Sequence, residues 1–496
     1  MVAMTLQTLL DGIAVVDRAA DCSIFGLTDD SRAVTKGQVF FAYPGSDHDG
    51  RDYIEAAISA GAVAVIYDDN DFDVLTLSSP VPMVAIKALQ SKLGSIAARF
   101  FCAPSHDMNI YAVTGTNGKT SVGHFLAQAL NGKRSVGVMG TLGNGLWGKL
   151  ADSSLTTPSA LSVQKMLMQM RADGVKDVVI EASSHGLHQD RLSAVQVNTA
   201  IFTNLTQDHL DYHKTMESYA AAKRSLFEID GLQNAVVNVY DTYGAELAKR
   251  LSENVNLYSY GLDDVCRCSA AKPMIRGAIR KSDASGLEID IKSVYGSATL
   301  RSKVIGRFNA ENLLAVLAAM LANDIGFSQA IEKLSQVHAV IGRMERFGQP
   351  DQTQVFVDYA HTPAALESAL AALKPSCQGR LYLVFGCGGG RDKSKRAKMG
   401  AIAEQYADVI VVTDDNPRYE SGDEIISDIL LGISTDKEFY VERDRAKAII
   451  YGLEQAGIDD VVLIAGKGHE DYQLIGDQRV AFSDRDFVHK FMAQAA

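Results

Sequence analysis

Residues 109–120 read Asn109-Ile110-Tyr111-Ala112-Val113-Thr114-Gly115-Thr116-Asn117-Gly118-Lys119-Thr120. The apolar first half predicts a buried strand, and a helix-like stretch follows at residues 122–130. A strand that ends in a glycine-rich turn and continues as a helix presents backbone N–H groups to a phosphate. The stretch therefore predicts a phosphate-binding loop for ATP or GTP in an α/β sheet, in which Lys119 meets the outer phosphates and Thr120 ligates Mg²⁺.

The loop departs from the usual spacing of such motifs, in which four residues separate the first glycine from the Gly-Lys pair. That spacing requires glycine at position 113, where this chain has valine, and its first glycine is Gly115. Short matches of this kind occur by chance, so the interpretation depends on the position between a strand and a helix. The loop residues that we expect to bind the nucleotide are Gly115, Thr116, Asn117, Gly118, Lys119, Thr120 and Ser121.

The composition is that of an ordinary globular protein, since the 496 residues are 47% hydrophobic and 22% charged. The net charge of −12 argues against general binding to nucleic acids or anionic membranes. No apolar run approaches the ~20 residues of a membrane helix. The start lacks the basic residues of a secretory signal, and six cysteines make no disulfide framework in so long a chain. We therefore expect a cytoplasmic protein without membrane insertion or nucleic-acid partners. As a separate expectation, we predict a monomer.

The chain length and the alternation of apolar and polar runs predict about three domains. Residues 1–88 mix short apolar runs with turn-rich stretches, which indicates a small α/β domain. Residues 89–338 alternate strand-like and helix-like stretches, which indicates a mostly parallel sheet flanked by helices. The more polar, alternating stretch 282–304 predicts an antiparallel addition to that sheet. From residue 339 the alternation begins again and indicates a third domain.

Three apolar runs of the last domain predict strands at 381–385, 408–412 and 460–464. A polar or glycine-rich loop follows each run, at 386–391, 413–418 and 465–470. Ligands of open α/β sheets bind beyond the carboxyl ends of the strands. The three loops therefore predict one shared pocket.

The middle domain carries two acidic motifs at predicted strand ends. Glu181 ends the run 177–181, where a carboxylate can hold the Mg²⁺ of a nucleotide or simply cap a turn. The polar loop 183–186 follows it and favours the functional interpretation. The stretch 204–213 contains two histidines and two aspartates, a composition typical of metal or phosphate sites. Lys223 lies in an alanine-rich helical stretch, and local sequence alone predicts a solvated lysine there.

Together these motifs resemble the Mur ligases, the ATP-dependent amino-acid ligases that build the peptidoglycan stem peptide. The resemblance runs in family order across nearly the whole chain and is closest to the members that add the third residue. It is carried by residues 114–120, 181–186, 208–213, 222–223, 306–309, 342–345, 358–363, 415–418 and 466–470.

The resemblance implies a UDP-sugar-binding domain (1–88), a central P-loop ATPase domain (89–338) and a Rossmann-like C-terminal domain that binds the amino acid (339–496). It also implies a reaction. ATP phosphorylates the D-glutamate γ-carboxylate of UDP-N-acetylmuramoyl-L-Ala-D-Glu, and the amine of meso-2,6-diaminopimelate attacks the acyl phosphate. Such a role belongs to peptidoglycan and cell-wall synthesis, and thereby to cell shape and division.

The resemblance further implies site residues. By this resemblance, we expect Lys223 to be carbamylated by CO₂ and to hold one Mg²⁺ with His209, while Thr120 and Glu181 hold another. The expected catalytic residues are Lys119, Glu181, His209 and Lys223. The further positions expected around ATP are Asn309, Asn312, Arg343, Asp358 and His361. Those expected around the UDP-muramoyl dipeptide are Ser31, Ser46, Asp47, His48, Thr156, Thr157, Ser183, Gln189 and Arg191.

Diaminopimelate differs from lysine by one distal carboxylate, which an arginine fork can bind with two parallel hydrogen bonds. Arg418 supplies that fork in Asp415-Asn416-Pro417-Arg418, a form that the resemblance links to diaminopimelate. Lysine would leave this arginine unpaired and add a second cation beside it. The residues expected around diaminopimelate are Arg391, Asp415, Asn416, Pro417, Arg418, Gly466 and Glu470.

Two alternatives remain open at the level of sequence. A folylpolyglutamate synthase-like ligase would share the chemistry, but the front domain and Arg418 speak against it. A switch protein that hydrolyses a nucleotide without ligation would leave the three polar loops of the last domain unexplained. An assay of phosphate release from ATP in the presence of each candidate acceptor distinguishes these two alternatives from a Mur ligase.

Overall fold

The computed structural model describes residues 4–45, 48–72, 79–132, 135–153, 155–263, 274–283, 285–348, 352–434 and 436–494. The chain forms two compact units. The first unit consists of Met1–Ala112, Asn131–Ala200 and Ala222–Gln233. The second unit consists of Val113–Leu130, Ile201–Ala221 and Asn234–Ala496.

The first unit begins with a four-stranded parallel sheet in the order β3-β4-β5-β6. The run Val39 to Ala42 is apolar throughout, as expected for a parallel strand that is buried on both faces. Phe40 packs with helix α2 on one face, and Phe41 packs with helix α3 on the other. The elements of this part are β1 (Met4–Thr5), α1 (Leu6–Leu9), β2 (Ser23–Ile24), β3 (Gly26–Thr28), β4 (Gln38–Ala42), α2 (Ile54–Ser59), β5 (Ala64–Asp68), β6 (Met83–Ile86) and α3 (Leu89–Phe100).

The next stretch contains the phosphate loop and the predicted acidic strand end. Its elements are β7 (Asn109–Thr114), α4 (Lys119–Leu130), β8 (Val136–Gly140), β9 (Gly143–Leu146), β10 (Lys149–Ala151), α5 (Ala160–Ala172), β11 (Asp177–Glu181), α6 (Ser184–His188), β12 (Thr199–Phe202), α7 (Leu210–His213) and α8 (Met216–Arg224). In the first unit the strand order is β10-β9-β8-β11-β7. β11 is parallel to β8, with Val178 opposite Gly137, and β8 and β9 form an antiparallel hairpin.

The second unit continues with an extended sheet of neighbouring strands from β13 to β17. β13, β14 and β15 are parallel, whereas β15, β16 and β17 form an antiparallel meander. The antiparallel addition predicted at 282–304 is therefore confirmed. The elements are β13 (Asn234–Asn238), α9 (Thr242–Arg250), β14 (Asn256–Leu262), β15 (Ile275–Asp283), β16 (Gly286–Ser293), β17 (Gly296–Ser302), α10 (Arg307–Leu321) and α11 (Phe327–Ser335).

The second unit also contains a six-stranded sheet in the order β18-β19-β23-β20-β21-β22. Only β18 is antiparallel to its neighbour. Apolar clusters under α12–α14 and under α15–α16 cover its two faces. The elements are β18 (Glu345–Phe347), β19 (Gln354–Asp358), α12 (Pro363–Leu373), β20 (Leu381–Phe385), α13 (Lys395–Tyr406), β21 (Val409–Val412), α14 (Gly422–Leu430), β22 (Phe439–Val441), α15 (Arg445–Gln455), β23 (Val461–Ala465), β24 (Tyr472–Ile475), β25 (Gln478–Ala481) and α16 (Asp484–Gln494).

The predicted α/β class with mostly parallel sheets is confirmed. The three strands predicted at 381–385, 408–412 and 460–464 correspond to β20, β21 and β23, which lie side by side and run in one direction. Their carboxyl ends therefore meet at one edge of the sheet. No helix within the described residues has the length and apolar character to cross a membrane.

Candidate active site

The phosphate loop lies between β7 and α4, and the segment after β12 holds it in place. The backbone N–H of Thr116 donates to the carbonyl of Asn204 at 2.9 Å, and the N–H of Asn117 donates to the Asn204 side chain at 2.9 Å. The Thr203 hydroxyl donates to the Asn117 carbonyl at 2.6 Å. These contacts hold the loop in one conformation. A rigid loop of N–H groups at a helix start is suited to bind a phosphate.

Gly118 is a position where the loop requires glycine. Its φ angle is +88°, and a Cβ atom there would lie 2.6 Å from Oδ1 of Asn312. The Asn312 amide in turn donates to Oδ1 of Asn309 at 3.1 Å, and Asn309 donates to the Ile305 carbonyl at 2.8 Å. The two predicted asparagines at the start of α10 therefore lie directly beside the loop.

Lys119 and Thr120 begin α4 at the expected place. The Lys119 ammonium donates to the carbonyls of Gly115 and Thr116, each at 2.9 Å, so it folds back over the loop. Nη2 of Arg343 donates to the Thr120 hydroxyl at 3.2 Å. Arg343 therefore brings a second cation to the loop.

Asp358 ends β19, His361 lies three residues further on, and both lie near Arg343. The Asp358 carboxylate accepts hydrogen bonds from the backbone N–H groups of Met344 at 2.6 Å and Ala360 at 2.9 Å. Burial raises the pKa of Asp358, although the charge of Arg343 opposes this shift. Burial also lowers the pKa of His361, and the charge of Lys395 lowers it further.

His209 has a left-handed backbone with φ +54°, and its Nε2 lies 3.4 Å from Oδ2 of Asp208. Burial acts to raise the pKa of Asp208, but the surrounding cations, His209 first, outweigh it and the net shift is downward. Lys395 is one of these cations, and its ammonium donates to the His361 carbonyl at 2.9 Å. Sequence reasoning missed Lys395, because its only local signal is a charged helix start after a glycine-rich loop.

In the first unit, Glu181 ends β11 with only 2% of its surface exposed. The backbone N–H of Thr141 donates to one of its carboxylate oxygens at 3.0 Å, and the Thr141 hydroxyl donates to the other at 3.1 Å. Thr141 was not predicted, although it directly follows the neighbouring strand β8. Its contacts fix the direction of the carboxylate.

A polar network in the first unit joins most residues predicted to bind the UDP-muramoyl dipeptide. The Thr157 hydroxyl donates to the Glu181 carbonyl at 2.7 Å and lies 2.9 Å from the Ser183 hydroxyl. Nη1 of Arg191 donates to the Thr157 carbonyl at 2.6 Å, and its Nε and Nη2 contact Oε1 of Gln189. The Thr156 hydroxyl lies 3.1 Å from that of Thr141.

The remaining members of this set lie in the N-terminal sheet or fall outside the described residues. Ser31 begins a short 3₁₀ turn whose preceding residue, Asp30, caps it. The His48 side chain is exposed, and its carbonyl accepts a hydrogen bond from the Gly45 N–H at 2.9 Å. Positions 46 and 47 lie outside the described residues.

Lys223 is buried, with 1% of its surface exposed. The solvated lysine predicted from local sequence is therefore wrong. The error has a physical reason: an alanine-rich helix has few bulky side chains, so its own sequence does not reveal which face the rest of the protein covers.

The three polar loops of the C-terminal sheet contact one another, as the shared pocket requires. The Gly389 N–H donates to the Asn416 carbonyl at 2.9 Å, and the Asn416 amide donates to Oε2 of Glu470 at 2.9 Å. Asp415 is buried, and its Oδ1 accepts no hydrogen bond from any described residue. Gly466 lies beside it with φ +118°.

Arg418 extends from the second loop toward the first. Its Nη1 donates to the Gly389 carbonyl at 2.8 Å, and a Cβ atom at Gly388 would lie 2.9 Å from that nitrogen. The glycines therefore make room for the guanidinium. Burial lowers the pKa of Arg418, and the charge of Arg391 adds to this shift. Arg391 itself is more than half exposed and lies 4.0 Å from Oδ2 of Asp211.

No group of three or more His, Cys, Asp or Glu side chains with metal-site geometry occurs among the described residues.

Three Mur ligase domains match successive parts of this chain. The Mur ligase family catalytic domain matches residues 23–101, the Mur ligase middle domain matches 113–320, and the Mur ligase glutamate ligase domain matches 342–468. The Mur ligase three-domain architecture predicted from the sequence is thereby confirmed.

Close relatives match almost the full length. The UDP-N-acetylmuramoyl-L-alanyl-D-glutamate--2,6-diaminopimelate ligase of Coxiella burnetii is 45% identical and covers 95% of this chain and 96% of its own. The Pseudomonas aeruginosa enzyme of the same name is 44% identical, with coverage of 95% and 96%. A solved structure of a ligase with this name has 32% identity, a TM-score of 0.69 and full coverage of both chains.

These matches define the class: the chain belongs to the Mur ligase family. It is similar, over nearly its whole length, to family members named for the addition of 2,6-diaminopimelate.

Proposed function

We propose that this chain is an ATP-dependent, ADP-forming acid–amino-acid ligase of peptidoglycan precursor synthesis. It adds meso-2,6-diaminopimelate to the D-glutamate γ-carboxylate of UDP-N-acetylmuramoyl-L-Ala-D-Glu. The observation that carries the amino-acid specificity is the position of Arg418. Its guanidinium lies against Gly389, in a pocket that also contains the acids Asp415 and Glu470.

The reaction begins with the activation of a poor electrophile. A carboxylate has no good leaving group, and phosphorylation by ATP supplies one as an acyl phosphate. The phosphate loop binds the triphosphate through backbone N–H groups other than those of Thr116 and Asn117, which donate to Asn204. Lys119 leaves the loop carbonyls that it contacts and, with Arg343, offsets the charge that builds up as two anions approach each other.

Mg²⁺, when bound, would neutralise the negative charge that develops on the phosphate oxygens. We assign Thr120 and Glu181 to one Mg²⁺, and His209 with the carbamate of Lys223 to a second. The donor chemistry fits: Thr120 and Glu181 offer oxygen, and Thr141 keeps both Glu181 oxygens in a defined direction. Lys223 is 1% exposed, so a carbamate formed by CO₂ on its amine would lie in a buried environment.

The second half of the reaction is an attack by the amine of diaminopimelate on the acyl phosphate. The distal carboxylate is bound by Arg418 and the distal ammonium by Asp415 and Glu470, while Arg391 takes the other carboxylate. The tetrahedral intermediate then expels phosphate, and the amide bond remains.

The UDP-muramoyl dipeptide is assigned to the polar network of Thr157, Ser183, Gln189 and Arg191, with Ser31, His48 and Thr156 around it. An arginine held by three contacts is a suitable partner for an anionic group of the substrate. We further propose a monomer in the cytoplasm, in a pathway that supports cell shape and division.

Phosphate release from ATP tests the proposal. We expect release to require both UDP-N-acetylmuramoyl-L-Ala-D-Glu and diaminopimelate, and the product to gain the mass of one diaminopimelate residue. Release without either acceptor would identify a nucleotide-hydrolysing switch instead. Release that requires a folate and glutamate would identify a folylpolyglutamate synthase-like ligase.

A further inference from the structure

Lys467 is a fully buried lysine beneath the amino-acid pocket, and none of its surface is exposed. Its ammonium donates to Oε2 of Glu470 at 2.9 Å and to Oδ1 of Asn416 at 3.2 Å. It also lies 3.7 Å from Oδ1 of Asp415 and 5.6 Å from the centre of the Tyr472 ring. One buried cation thus contacts three residues that the sequence analysis places around diaminopimelate.

These contacts determine how the Asn416 amide is oriented. Its Oδ1 accepts from Lys467 and from the backbone N–H of Leu474 at 2.9 Å, so Nδ2 points away from both. Nδ2 donates to Glu470 at 2.9 Å. Without the lysine, the amide would lose one of the two donors that fix its orientation, and the Glu470 carboxylate would lose its charged partner.

Lys467 also completes a charge balance. Asp415 and Glu470 contribute two negative charges to the pocket, and Lys467 and Arg418 contribute two positive charges. The nearby buried Arg445 is neutralised by its own partner, Asp484, at 2.7 Å. The groups around the distal end of the ligand are therefore close to neutral before a ligand enters, and Arg391, which is assigned to the other carboxylate, lies 4.0 Å from Oδ2 of Asp211.

We propose that Lys467 is a positioning residue that makes the pocket select an amino acid whose side chain ends in both an ammonium and a carboxylate group. The proposal deepens the proposed function and rests on it. A neutral pocket accepts a zwitterionic end without surplus charge. The end of lysine carries one surplus positive charge, and the end of 2-aminopimelate carries one surplus negative charge. Uncompensated charge in a desolvated site weakens binding.

Replacement of Lys467 by methionine tests this idea, because methionine keeps the length and removes the charge. The pocket then carries a surplus negative charge that favours a cationic ligand. We expect kcat/KM for diaminopimelate to fall about tenfold or more, and its ratio to kcat/KM for lysine to fall by at least about tenfold. The KM for ATP should change by less than about twofold. The kcat/KM for 2-aminopimelate should fall by a larger factor than the kcat/KM for diaminopimelate.

Two further variants separate positioning from a general loss of structure. Lys467→Arg keeps the charge, and we expect it to restore the preference for diaminopimelate over lysine. Lys374→Met is the matched control, because Lys374 pairs with Asp408 at 2.8 Å near the amino end of β21 in the same sheet. It should leave the preference unchanged. If Lys467→Met does not fold, as judged by thermal unfolding, Lys467→Gln takes its place.

An unchanged ratio of diaminopimelate to lysine turnover in a folded Lys467→Met or Lys467→Gln protein would overturn the proposal. An equal fall in kcat/KM for both amino acids and for ATP would also overturn the proposal, because a purely structural role predicts that result. The unmodified protein distinguishes these failures from a wrong proposed function, since it must turn over diaminopimelate in the same assay.

Discussion

Replacement of Arg418 is the sharpest test of the amino-acid site. Its Nη1 is anchored by the Gly389 carbonyl at 2.8 Å, which fixes the plane of the guanidinium. A carboxylate bound by such a fork gains two charge-assisted hydrogen bonds, each worth about 1.5–3 kcal/mol when formed. Because Arg418 is only partly buried, water can form hydrogen bonds to the guanidinium when the carboxylate is absent. We therefore use a net binding free energy of about 2–3 kcal/mol for the two hydrogen bonds together.

This energy corresponds to a loss of about 30- to 150-fold in kcat/KM for diaminopimelate in Arg418→Ala. Arg418→Lys keeps the charge but loses the fork, so we expect a smaller loss of about 5- to 30-fold. Both variants retain a Cβ atom, so the left-handed backbone with φ +54° carries the same strain in all three proteins.

The assay is steady-state phosphate release, with diaminopimelate varied at saturating ATP and UDP-muramoyl dipeptide, and then with ATP varied. We expect the KM for ATP to stay within about twofold of its starting value. Arg380→Lys is the matched control, because Arg380 pairs with Glu438 and directly precedes β20, away from the carboxyl end of that strand. Unchanged KM and kcat for diaminopimelate in Arg418→Ala would refute the role of Arg418.

Three further predictions concern other parts of the molecule. Gly118→Ala should weaken ATP binding about tenfold or more, measured by ATP titration, since its Cβ would lie 2.6 Å from Asn312 Oδ1. Removal of dissolved CO₂ should lower turnover, and bicarbonate should restore it except in Lys223→Ala. Burial, with nearby positive charges, lowers the pKa of His469 from 6.5 to about 3. As the pH falls, the unfolded chain therefore takes up a proton on this histidine before the folded protein does. The free energy of unfolding is thus unaffected by the protonation of this residue above pH 6.5 and decreases as the pH drops toward 3. His469→Gln should remove about 2 kcal/mol of the stability loss between about pH 7 and pH 5, measured by urea unfolding.

Local sequence patterns predicted the three strands that precede the polar loops of the C-terminal sheet. The run at 381–385 is β20 as predicted, and the runs at 408–412 and 460–464 differ from β21 and β23 by a residue at one or both ends. An apolar run bounded by polar loops predicts a strand reliably, because the pattern consists of residues that are consecutive in the sequence. The domain boundaries at 88 and 338 and the ligand assignments of the site residues stay predictions.

Local sequence patterns could not predict contacts between residues that are far apart in the chain. Thr141 binds both oxygens of Glu181, which lies 40 positions later, and nothing in its own neighbourhood indicates this. Asn416 and Lys467 are separated by 51 positions, and their contact exists because β21 and β23 end at the same edge of one sheet.

The sequence by itself determined the phosphate loop, the alternation of strands and helices, the polar loops at the strand ends and the arginine that suits a second carboxylate. These features depend on residue type and short spacing. Only the tertiary structure decided that Lys223 is buried rather than solvated, and that Lys467 lies fully enclosed among Asp415, Asn416 and Glu470. Burial depends on which elements cover a side chain, and that depends on how remote parts of the chain pack together.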